Sequence, residues 1–107
     1  MRPLKEKIRT VAHLQKTDSQ NRVLFDGTIS TLQMGRVWQS GFEITTPFGG
    51  LISPVTACFR RFFAEHKAVY DAIRCIKADT KTFDSTARSV INELCDLAFD
   101  NVNPKLF

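Results

Sequence analysis

Apolar and polar positions change period along this chain, and each change predicts an element. Leu4, Ile8, Val11 and Ala12 fall at i, i+4, i+7 and i+8, ringed by Lys5, Lys7, Arg9 and Lys16. That spacing predicts a helix over 4–16, stopped by the polar cluster Thr17–Asn21. From Arg22 to Thr46, Val, Ile, Phe, Trp and Thr become common and glycine punctuates them, which predicts three or four short antiparallel strands. Asp26-Gly27, between two β-prone triplets, has the form of a two-residue hairpin turn, because a glycine there supplies the positive φ such turns need. Ser40-Gly41 marks a second hairpin, and Gly35 a bulge or bend.

Residues 46–52 read as a loop, and Ser53-Pro54 as the start of a long helix, with Ser as N-cap and Pro as first helical residue. The helix is expected to run to about Ala78. Val55, Cys58, Phe59, Phe62, His66, Val69, Ile73 and Ile76 fall on one face, and the alanines at 57, 64, 68 and 72, with Cys75, on a flank. A row of small residues lets a neighbouring element approach closely. A last helix follows, capped by Asp84 or Ser85 with Phe83 as staple. Its expected apolar face is Ala87, Val90, Ile91, Leu94, Leu97 and Ala98, its acidic back Glu93, Asp96 and Asp100, and its end Asn101–Pro104.

This order predicts an α+β fold: an N-terminal helix, a small antiparallel sheet of three or four strands, then two C-terminal helices packed on one face. A chain of 107 residues fits one domain, 1–107, and is too short for a TIM barrel or a Rossmann enzyme with its own substrate domain.

Charge refines this picture. The chain has 15 Lys and Arg against 11 Asp and Glu, and the excess is uneven. Residues 1–22 hold six basic and two acidic side chains, and residues 54–82 six and three, whereas residues 83–107 hold two and four. No apolar run of signal-peptide type follows the charged start, and the longest uncharged stretch, 44–59, contains two prolines and two glycines. Together with three scattered cysteines, Cys58, Cys75 and Cys95, this predicts a cytoplasmic protein with reduced thiols and no membrane association.

Candidate chemistry is sparse. No ligand pair has the spacing of a zinc site, so no metal is expected. Gly49-Gly50 before Ser53-Pro54 has the outline of a phosphate loop but lacks its lysine and full glycine spacing, so no cofactor is expected. His66, among apolar neighbours, reads as a core-rim residue, and Cys75, beside Arg74 and Lys77, as an incidental thiol or a reactive one. No catalytic residue stands out, so no enzyme is expected. Arg60, Lys67 and Arg74 recur every seven residues, extended by Arg61, Lys77 and Lys81, and this stripe is the candidate nucleic-acid surface. The uncharged Pro47–Ile52 loop offers Phe48, Leu51 and Ile52 to a partner protein. The favoured expectation is a non-catalytic intracellular interaction module, such as a small regulator, adaptor or inhibitor of a larger machine, binding a protein partner through that loop and the adjacent helix. The alternative is a nucleic-acid-binding protein using the basic helices.

Overall fold

The computed structural model describes residues 7–46, 61–81 and 83–103. Four strands, β1 (Lys7–Thr17), β2 (Val23–Met34), β3 (Val37–Thr45) and β4 (Arg61–Phe62), form an antiparallel sheet in the order β1-β2-β3-β4. Two helices follow, α1 (Glu65–Asp79) and α2 (Ser85–Val102). The α+β class and the two closing helices are as the sequence predicts.

The expected N-terminal helix is instead strand β1 from Lys7 onward, while residues 1–6 lie outside the described residues. The cause is a β-bulge. Pairing with β2 skips Val11: Thr10 faces Ser30 and Ala12 faces Ile29. The extra residue places two consecutive side chains, Val11 and Ala12, in the core. In the sequence that doublet looks like the i+7, i+8 step of an amphipathic helix. Ile8, assigned to the same helical stripe, is 73% exposed.

Neither predicted hairpin turn is where the dipeptides suggest. Asp26 and Gly27 lie inside β2, facing Gln15 and Leu14 of β1 on one side and Thr45 and Ile44 of β3 on the other. Gly27 is there for closeness: a Cβ built on it would come within 2.6 Å of Leu94 Cδ2 and 2.8 Å of the Phe25 ring. Ser40 and Gly41 lie inside β3. The true β2–β3 turn is Gly35-Arg36, between the paired Met34 and Val37, with Gly35 at φ +63°. The positive φ at only the first central residue is that of a type II′ turn. The β1–β2 turn falls in the predicted polar cluster, where the Asp18 carboxylate accepts from the backbone N–H of Gln20 and Arg22 and from Arg22 Nε, all within 2.9 Å.

Helix α1 begins later than expected. Arg61 and Phe62, predicted as helix interior, pair with Gln39 and Trp38 as β4, and Ala64 is still extended at φ −141°. The predicted Ser53-Pro54 cap lies outside the described residues. The C-terminal end, at Asp79, is close to expectation. The α1 face that packs is turned toward the small-residue flank: Ala68, Val69, Ala72 and Ile76 are buried, Ile73 partly so. In α2, Asp84 Oδ1 accepts from Ala87 N–H at 2.8 Å as the cap, Phe83 packs against the core, and Ile91, Leu94, Cys95 and Ala98 are buried. Leu97, assigned to the apolar face, is 39% exposed, and Cys95 takes the inward position.

Both helices lie on the same face of the sheet, α1 against β2 and β3, α2 against β1 and β2. They run antiparallel, since Tyr70 early in α1 stacks on Phe99 late in α2 and donates to Asn103 Oδ1 at 2.7 Å. The core lies between this layer and the inward residues Phe25, Ile29, Phe42 and Ile44. Asn101 Nδ2 donates to the bulge carbonyl of Val11 at 2.6 Å, tying the end of α2 to the irregular point of β1.

Candidate functional site

A second register shift shapes the main concavity. Lys16 faces Phe25 and Thr17 faces Val23, so Leu24 has no partner on β1. Neighbours in a regular strand point to opposite faces. At this bulge Leu24 and Phe25 line the same groove, of about 320 Å³. Phe83, Thr86, Ala87 and Val90 from the start of α2 form the opposite wall, with Lys16 and Thr46 at the ends of β1 and β3. Phe25 is buried, whereas Leu24 and the neighbouring Val23 are each 42% exposed. The polar groups at the rim are engaged: Lys16 Nζ lies 3.5 Å from Glu93, and the Asp84 carboxylate caps α2.

A second depression, of about 260 Å³, lies at the elbow between the helices, lined by Lys77, Thr80, Lys81, Arg88 and Asn92. A third, of about 130 Å³, lies on the sheet face opposite the two helices, between Ile8, Leu32 and Gly41. Farther along that face His13 Nε2 meets Asp26 Oδ1 at 2.8 Å.

Of the residues singled out in the sequence, Phe48, Leu51, Ile52 and Arg60 lie outside the described residues, as does Cys58. Lys67 and Arg74 are exposed on α1, and Arg74 pairs with the buried Asp71 at 3.3 Å. His66 is half-buried and edge-on to Tyr70, with centroids 5.7 Å apart. Cys75 is half-buried, and burial pushes the Cys95 thiol up to about 11, against the opposing charge of Lys77. A thiol held protonated in this way is a packing group. Among the described residues no three His, Cys, Asp or Glu side chains converge to hold a metal, and Glu93, Asp96 and Asp100 are exposed. No helix among them is long and apolar enough to cross a membrane.

Sequence reasoning missed the groove and the elbow. In the sequence Leu24 belongs to the β-prone triplet before Asp26-Gly27, and only its lost partner on β1 turns it into the groove. Arg88 is the one basic residue in α2, seven positions after Lys81. Their convergence needs the turn between the helices.

Comparison with known proteins finds no matching family model, no matching curated protein and no matching solved structure.

Proposed function

We propose that the chain is a non-catalytic protein-interaction module, a single-domain cytoplasmic regulator or adaptor, that takes an apolar side chain of a partner protein into the groove between β2 and the start of α2. The groove is the observation that carries this reading: Leu24, half-exposed, stands beside Phe25, Phe83 and Val90 with no free acid or base among them. Grooves of this size that bury one large apolar anchor are where binding energy concentrates at interfaces. Thr46, at the groove's end, immediately precedes the uncharged stretch holding Phe48, Leu51 and Ile52, so these residues are within a short reach along the chain. The free thiols at Cys75 and Cys95 suit a reducing compartment.

The test is a displayed random-peptide library selected on the parent protein. The expected result is enrichment of peptides with one bulky apolar anchor. Their binding should be lost in Leu24→Asp and Thr86→Arg variants whose Tm stays within a few degrees of the parent. Peptides that bind all three proteins equally overturn the reading.

A second reading, nucleic-acid binding, is favoured by the exposure of Lys67 and Arg74 on one side of α1. A steep fall of oligonucleotide affinity with salt, flattened by Lys67→Gln and Arg74→Gln, is its signature.

A further inference from the structure

We propose that the elbow between α1 and α2 is a binding site for a phosphate group. This goes beyond the apolar groove and does not rest on it, since the two are built on different sides of the first turns of α2.

Three cationic side chains converge there. Lys77 comes from the last turn of α1, Lys81 from the connection, and Arg88 from the first turns of α2. Among the described residues the ion pairs involve Arg9, His13, Lys16, Arg22 and Arg74, and none of the three elbow cations has a carboxylate within 4 Å. Asp79 and Asp84, the acids nearest along the chain, do not line the depression. Like charges gathered without an ion-paired carboxylate repel one another, and a bound anion relieves that repulsion.

The elbow is also prepared against the usual reason an anion avoids a helix C-terminus, its exposed carbonyls. Thr80 is buried, and its hydroxyl donates to Ile76 O at 2.8 Å. Its backbone N–H donates to the same carbonyl, and Arg88 Nη1 donates to Lys81 O at 3.5 Å. Thr80 is therefore a fixed floor, and the ligands are the three cations with the Asn92 amide one turn beyond Arg88. The charge decides the class of ligand. Three cations suit a multiply charged oxyanion better than a single carboxylate, and a guanidinium offers paired N–H groups to two phosphate oxygens.

The experiment is a titration of the full chain with inorganic phosphate, followed by amide NMR shifts and repeated with chloride at equal ionic strength. The expected result is saturable phosphate-specific shifts at residues 77–81, 88 and 92. Affinity should fall at least tenfold in the Lys81→Gln/Arg88→Gln double variant and return in Lys81→Arg/Arg88→Lys. All four substitutions are at exposed positions, and an unchanged amide spectrum elsewhere verifies the fold. Shifts that do not saturate, that chloride reproduces, or that survive the double glutamine variant overturn the proposal. A single-stranded oligonucleotide without terminal phosphates then identifies the source. Saturation that spreads from the elbow to Arg74 and Lys67 marks a polynucleotide backbone. An elbow that answers phosphate but not the oligonucleotide marks a small phosphorylated compound.

Discussion

Arg9 Nε donates to Glu65 Oε1 at 2.8 Å, across 56 residues of sequence, and so joins the edge strand to the first turn of α1. The same oxygen accepts from Thr31 Oγ1 at 2.8 Å. Arg9 and Thr31 are direct partners across β1 and β2, so two neighbouring strands grip one carboxylate. Thr31 is 1% exposed, and without Glu65 its hydroxyl would be buried without this partner.

Burial alone would raise the Glu65 carboxyl. The hydrogen bonds from Arg9 and Thr31, with the charge of Arg9, outweigh it and hold the group below the usual carboxylate range. A carboxyl depressed in the folded state contributes stability that is present above its unfolded pKa and is lost as pH falls through the folded one. Glu65→Gln is therefore expected to lower stability by about 1–2 kcal/mol at neutral pH. The gap between parent and variant should close as pH drops below the ordinary glutamate value of 4.5. Urea unfolding from pH 7 to pH 3 measures it, and a gap that does not depend on pH contradicts the assignment.

Gly27→Ala is expected to cost on the order of 1–3 kcal/mol, because the new methyl meets Leu94 and Phe25, both buried. Leu94→Ala removes one of the two obstacles. The double variant should therefore be more stable than the sum of the two single changes implies, and simple additivity in urea unfolding would show that no clash existed.

Gly35 presents the opposite situation. Nothing lies within 4 Å of its Cβ position, but its φ is +63°. Gly35→Val is expected to lower stability by about 1–2 kcal/mol through backbone strain alone, and Gly35→Asn by much less. Thermal unfolding that ranks Asn and Val equally at this position would remove strain as the cause.

Asp84→Ala deletes the cap on α2 and is expected to cost about 1 kcal/mol. Hydrogen exchange should speed up at the amides of the first turn, Ala87 above all, with protection at Leu94 and Cys95 falling only by the global loss. Uniform loss along the helix would mean that the cap does more than close its end.

Cys95 should resist a thiol reagent in the native protein at neutral pH and react on unfolding, because burial holds its pKa at about 11. Native-state labelling at the rate of an unfolded peptide would contradict its place in the core.

The α2 helix was legible almost residue by residue, since its cap, inward stripe and terminus are local signals that its packing happens to reinforce. The polar turn after Thr17 and the end of α1 were legible for the same reason. The N-terminal segment was not. One bulge turns a strand's period into a helix-like doublet at Val11 and Ala12, and only pairing with β2 shows it. Asp26-Gly27 carries real turn chemistry that Leu94, arriving from a helix 67 residues later, converts to a requirement for closeness. The charge imbalance was visible in the sequence as a stripe on one helix. The elbow of Lys77, Lys81 and Arg88 needed the turn that folds α2 back on α1, and the groove needed the pairing that leaves Leu24 without a partner. Local propensity and capping act over a turn or two of chain. Bulges, close approaches and sites are set by which distant segments meet, and that is a property of the packed structure.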